Sequence, residues 1–267
     1  MYSDMHVHSS ASCDSDASIW DICETAIERG IEAVALTEHV ELHPNDLCYG
    51  KFNYDAARRT FEKAKEKYDG RLILLFGAEV TYRSEIESLI GRFLESHRFD
   101  VVIGSVHDAP PINFWDPANS ALVRSNPALA KGALKVYYRE VKSMAATGLF
   151  NIVGHLGVYQ RYMPNVWPDV VGDDELSDIL HEALEEVCAN SRLELNSNVM
   201  DRPGHLPSPS VEVLKIYREM GGKPPTFGSD AHSAEAVGKN YSSAEKVLKA
   251  AGFSGFASWK DVARVSY

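Results

Sequence analysis

Six apolar runs in this chain stop within one or two residues of a metal-type donor. They end in His6-Val7-His8, Thr37-Glu38-His39, Gly77-Ala78-Glu79, Gly104-Ser105-Val106-His107, Gly154-His155 and Gly228-Ser229-Asp230-Ala231-His232. They belong to seven strand candidates, at 4–8, 33–39, 72–80, 100–107, 150–155, 192–196 and 225–229, most of them rich in Val, Ile and Leu with little polar alternation, the pattern of parallel strands buried on both faces. Between them lie amphipathic helical stretches at 18–29, 56–67, 85–96, 129–146, 175–189 and 211–220. Alternating strands and helices specify an α/β fold, and about seven such units in 267 residues predict a closed or nearly closed barrel. The competing topology is an open doubly wound sheet, but neither G-x-G-x-x-G nor G-x-x-x-x-G-K-[ST] follows any strand.

No Pro-, Ser- or Gly-rich linker divides the chain, so residues 1–267 read as a single domain. Gly30 and Gly221 stand where helices should end, and Ser84 and Ser210 are placed to cap helix starts. The segment 108–126, with Pro110, Pro111 and Pro117 around Phe114 and Trp115, reads as a long irregular loop.

Composition narrows the partners. With 27 Lys+Arg against 38 Asp+Glu the formal net charge is −11, which argues against a nucleic-acid backbone as ligand. It leaves room for a small phosphate ester, because bound cations reverse a local field. The four cysteines, Cys13, Cys23, Cys48 and Cys188, form no C-x-x-C pair, nothing at the N-terminus reads as a signal segment, and no apolar stretch approaches a membrane span. These features predict a cytoplasmic protein with reduced thiols and no membrane partner; the sequence specifies no oligomeric state.

In a parallel barrel all strand C-termini share one rim, so six of the ten histidines converge there. Side chains at i and i+2 of a strand face the same way, which lets His6 and His8 reach one cation. His, Asp and Glu donors at nine positions exceed the needs of one ion and predict two or three divalent metals. Multi-metal sites mostly serve hydrolysis, by activating water and neutralising phosphoryl charge.

The ordered set HVH, TEH, GAE, GSVH, VGH and GSDAH resembles the polymerase and histidinol phosphatase (PHP) family of metal-dependent phosphoesterases over essentially the whole chain. With LELNS before the last motif, it is most similar to the monofunctional histidinol-phosphate phosphatase branch. That resemblance implies a distorted (β/α)7 TIM-like barrel and hydrolysis of L-histidinol phosphate in histidine biosynthesis, by a hydroxide bridging metals of a trinuclear site. It implies His6, His8, Glu79 and Asp230 on one metal, Glu79, His107 and His155 on a second, and His39, His232 and Asp14 on a third. Asp14 stands where the family often has His; the harder carboxylate favours manganese or iron over zinc there. Arg161 and Arg202, just beyond the fifth and sixth strands, are candidates to orient phosphate. Asp230 or His232 is the candidate acid for the leaving group, with His205 and His43 further loop histidines and His205 counted on the substrate side. Glu38, Glu41 or Asp108 suit a cationic amino-alcohol. His97 and His181 fall within helical patterns and read as structural.

Other readings stay open at this stage. A sugar phosphate or nucleotide would use the same metals. An amidohydrolase-type C–N hydrolase also begins with H-x-H, yet usually adds a bridging carboxylated Lys where this chain has Glu79. A catalytically silent metal-binding protein should have lost donors, whereas all nine positions keep one. DNA proofreading is disfavoured by the acidic charge.

Overall fold

The computed structural model describes residues 2–263, so the outermost ends of the domain expected over 1–267 lie outside the described residues. Seven parallel strands run in the order β1 (Tyr2–Val7), β2 (Ile31–Val40), β3 (Ile73–Thr81), β4 (Val101–Ser105), β7 (Ile152–Val153), β8 (Arg192–Asn196) and β9 (Thr226–Gly228). β9 returns to β1 through a single parallel bridge, Val7 to Ala231. There the His8 N–H donates to the Ala231 carbonyl (2.9 Å) and the Asp230 N–H to the His6 carbonyl (2.8 Å). The sheet is therefore a nearly closed barrel, with its seam between first and last strands.

Strand alternation sorts the side chains. On β2, Ala33 and Ala35 face the barrel interior with Met5, Leu75, Val101, Ile103 and Ile152, a cluster capped at one end by Trp259 and Val262. Val34 and Leu36 face outward, against α1 (Ile19–Glu28) and α2 (Tyr54–Lys67). Each such fully buried Leu or Val is worth about 2 kcal/mol of apolar transfer. Continuing the alternation puts His39 inside and Glu38 outside. β1 would break this rule but for its irregular pairing: Asp4 sits opposite Val34 and Val7 opposite Leu36, three residues against two. This bulge turns Val7 outward and both His6 and His8 inward.

The remaining elements are α3 (Glu87–Ser96), β5 (Asp108–Ala109), β6 (Ile112–Asn113), α4 (Pro117–Ser125), α5 (Pro127–Ala146), α6 (Tyr159–Tyr162), α7 (Asp174–Asn190), α8 (Val211–Glu219) and α9 (Tyr241–Ala250). Gly30 and Gly221 end their helices with φ of 67° and 87°, and Ser210 accepts from the Val213 N–H as a cap. Ser84 does not cap; its N–H and hydroxyl both bond Glu140 on α5. Segment 108–126 is not an irregular loop but a short hairpin, β5–β6, followed by α4. Asp116 caps α4 and Asn126 caps α5, each with Pro at the first helical position, a helix-start signal that also reads as a loop. Cys13 and Cys48 are not free thiols but a disulfide between loops that are distant in sequence, Cα atoms 5.8 Å apart, which tethers the loop carrying Asp14. Among the described residues no helix is long and apolar enough to cross a membrane.

Candidate metal centre

At the C-terminal rim the inward rows bring the nine donors together. The Nε2 atoms of His6 and His8 lie 3.1 Å apart and face Glu79 Oε2 at 3.3 and 3.4 Å. Asp230 Oδ1 stands 3.8 and 3.5 Å from the same two nitrogens. The other oxygen of Glu79 meets His155 Nε2 at 2.8 Å and His107 Nε2 at 3.3 Å, and those two nitrogens are 3.3 Å apart. His39 and His232 form a third group with His8, and Asp14 Oδ2 lies 3.4 and 3.2 Å from their Nε2 atoms. Glu79, 1% exposed, is thus the hub between the groups.

Whether metal ions fit can be judged from the protons. His6 Nδ1 lies 2.7 Å from Glu194 Oε1; a carboxylate only accepts, so His6 carries its proton there. His8 Nδ1 likewise meets a hydroxyl, Ser12 Oγ, at 3.1 Å. Both Nε2 atoms then present lone pairs to each other and to two carboxylates, an arrangement that only a cation satisfies. In the protein alone a proton is the available cation: burial opposes charge on His6, but Glu194, Glu79 and Asp230 outweigh it and raise His6, while burial and the His39 charge push His8 down to about 3. Divalent metals satisfy every donor at once, and the N/O donor set suits zinc, manganese or iron. Burial also opposes ionisation of Glu79 and Asp230, yet the surrounding imidazoles and, for Asp230, Arg161 hold both well below the usual carboxylate range.

Glu194 was not singled out in the sequence. On β8 it alternates with Leu193 and Leu195, which pack outward, and a carboxylate in the middle of an apolar strand was the available signal. It also accepts the His155 N–H at 2.6 Å and the Asn196 amide at 3.2 Å, so one buried group orients two ligands. Gly228 makes room for it: a Cβ there would lie 1.8 Å from Glu194 Oε1. Two ligands take left-handed backbone, His155 (φ 25°) and Asp230 (φ 51°), each at a cost on the order of 1–3 kcal/mol. Replacing Glu194 by Gln is expected to lower zinc affinity roughly 10- to 100-fold, since the amide cannot accept from both His6 and His155. Chelator competition measures this, and unchanged affinity would refute the orienting role.

Arg161 lines the cavity beside the donors, with Nη2 2.5 Å from Asp230 Oδ2 and 3.1 Å from Asn196 Oδ1, and its buried Nε has no hydrogen-bond partner among the described residues. Asp230 is engaged on both oxygens, by Arg161 and Asn196 and by His6 and His8, which leaves no free position for acid work. His232 is 29% exposed and faces the cavity. Arg202 lies elsewhere: it is exposed and borders a separate depression with Lys239 and Asn198 on the far side of His232. His205, on the same turn, has its ring Nδ1 3.3 Å from the Pro203 carbonyl and its N–H donating to the Arg202 carbonyl at 3.2 Å, and it stays outside the cavity. Glu38 is turned away as well, buried at 2% exposure against Ser9 and Ser12, because it occupies the outward position of β2. Glu41 and Asp108 do line the cavity, joined by Asp46, and Arg83 bridges Asp46 and Asp108 at 2.7 Å each. His43 pairs with Glu85, His97 stacks on Phe93, and His181 bonds the Ser177 carbonyl.

A family model described as PHP domain matches residues 4–198, and one described as PHP-associated matches residues 213–253. The histidinol-phosphatase of Lactococcus lactis subsp. lactis (strain IL1403) is 26% identical over 251 residues, covering 94% of this chain and 91% of that protein. That of Bacillus subtilis (strain 168) is 26% identical over 262 residues, covering 89% and 96%. Among solved structures, the Lactococcus lactis histidinol phosphate phosphatase complexed with zinc, L-histidinol and phosphate superposes with a TM-score of 0.80 at 24% identity, covering 96% of each chain. A putative histidinol phosphatase from Listeria monocytogenes gives 0.78 at 18% identity, covering 90% of this chain and 99% of that one. These two superpositions establish the likeness of fold.

Proposed function

From the premise that the chain belongs to the PHP domain family, we propose that it is a metal-dependent phosphatase acting on a small phosphate monoester, L-histidinol phosphate. The observation that carries this reading is the facing of unshared Nε2 lone pairs across Glu79 and Asp230, next to a guanidinium with an unpartnered N–H. The curated histidinol-phosphatases matched over about nine-tenths of their length support the substrate. So does the acidic end of the cavity of about 240 Å³, where Arg83 bridges Asp46 and Asp108 and Glu41 lies 3.4 Å from His39. This cluster of carboxylates suits the ammonium of an amino-alcohol.

Two or three divalent cations, zinc, manganese or iron, would when bound supply a Lewis acid for phosphoryl oxygens and lower the pKa of water toward neutral pH. His6, His8, Glu79 and Asp230 would hold the first, Glu79, His107 and His155 the second, and His39, His232 and Asp14 the third. The chain's own part is positional. Arg161 donates to an outer phosphate oxygen from a side chain already aligned by Asp230 and Asn196, while the acidic end fixes the leaving group. That both family models fall on one barrel supports a single catalytic domain. An amidohydrolase reading finds no support, since among the described residues no lysine lines the cavity.

A panel of phosphomonoesters assayed with zinc, manganese and iron separates the readings. Phosphate release from L-histidinol phosphate is expected to exceed that from a neutral-alcohol ester at least 100-fold in kcat/KM, about 3 kcal/mol of discrimination. A flat profile would remove the substrate assignment and keep the phosphatase; no turnover with any metal would remove both.

A further inference from the structure

Glu38 lies next to a metal-type histidine and yet faces away from the cavity, so its buried carboxylate needs another explanation. We propose that Glu38, acting through Ser12, is a positioning residue that fixes His8 in the tautomer whose Nε2 is free for a cation; this rests on the metal-dependent reading above. The proton count determines it. Ser12 Oγ has three polar neighbours: Glu38 Oε2 at 2.7 Å, the His39 backbone N–H at 3.0 Å and His8 Nδ1 at 3.1 Å. A hydroxyl offers one proton and two lone pairs. The backbone N–H can only donate, and the carboxylate only accept. The Ser12 proton therefore goes to Glu38, and the remaining lone pair must accept from His8 Nδ1–H. Nε2 is left unprotonated.

Glu38 is itself held in place. Its Oε2 accepts the Ser9 N–H at 3.0 Å and its Oε1 the Ser9 hydroxyl at 2.6 Å, while Ser9 Oγ accepts the Ala11 N–H at 3.2 Å. Every proton in the chain from Glu38 to His8 thus has one placement. His6 receives the same instruction directly from Glu194. His8 receives it through a hydroxyl that also ties down the backbone of His39, so one oxygen sets the relation between the first and second ligand-bearing strand ends.

The test is a double-mutant cycle of Ser12→Ala and Glu38→Leu, read as zinc affinity by chelator competition on the full chain, without substrate. Each single variant is expected to bind zinc at least about 10-fold more weakly. The double variant should be no worse than Ser12→Ala alone, because Glu38 acts through that hydroxyl. Glu38→Gln is expected to rescue to within about threefold of the parent, by turning its amide oxygen to Ser9 N–H and Ser12 and its nitrogen to Ser9 Oγ. In zinc-loaded protein, the slowly exchanging His8 Nδ1–H resonance of the parent should survive in Glu38→Gln and be lost in Ser12→Ala. Losses that add in the cycle, parental affinity in Ser12→Ala, or a His8 resonance indifferent to Ser12 would overturn the proposal. Should Glu38→Leu fail to fold, Ser12→Ala and Glu38→Gln still decide it. None of these readouts depends on turnover, so failure of the phosphatase reading would register separately.

Discussion

Glu79→Gln is expected to strip metal from the protein and to lower kcat/KM about 1,000-fold, equivalent to about 4 kcal/mol of transition-state stabilisation. Glu79 splits its two oxygens between two donor groups, meeting His6, His8 and His39 with one and His107 and His155 with the other. An amide of the same shape must point its NH2 at one of those groups, placing a donor where a cation has to sit, and it removes a charge that the imidazoles hold ionised despite complete burial. Elemental analysis and phosphate release should fall together. Parental metal content with parental activity in this variant would refute the hub.

Arg161→Met is expected to cost about 100-fold in kcat/KM, about 2.7 kcal/mol, which is the range of hydrogen bonds to charged groups. The arginine is buried, and the Asp230 charge holds it protonated at every working pH although burial opposes it. Arg161→Lys should recover little, because one ammonium cannot hold Asp230, Asn196 and a phosphate oxygen with the geometry of the guanidinium fork. Metal content measured alongside separates lost phosphate binding from a displaced Asp230. A lysine variant with full activity would sink the role assigned to Arg161.

The donors at strand ends were legible because a parallel barrel gathers such ends, and the barrel in turn was legible from the repeated apolar runs. What the pattern could not carry was anything dependent on exact parity. Glu38 was read toward the substrate because it sits in the Thr37-Glu38-His39 motif, yet one residue of a strand is the difference between cavity and helix layer. His6 and His8 point inward only by virtue of the β1 bulge, whose register no single strand encodes. Glu194 escaped notice because its strand lacks a donor at its end. Arg202 and His205 were placed by chain order on a turn whose path only tertiary packing defines. Cys13 and Cys48, 35 residues apart, meet because two loops cross over the rim, a contact invisible to spacing rules.

The seam between β1 and β9 bears on how the molecule comes into being. Its two backbone hydrogen bonds flank His6, His8, Asp230 and His232, so the proposed first cation site straddles the join between residues more than two hundred positions apart. Closing that join orders the longest loop in the chain, and the entropic cost of a contact grows with the loop it closes. A nascent or partly folded chain therefore holds only fragments of the site. The donor groups that include Asp230 and His232 are complete only once the last strand has docked, whereas Glu79, His107 and His155 come together without it.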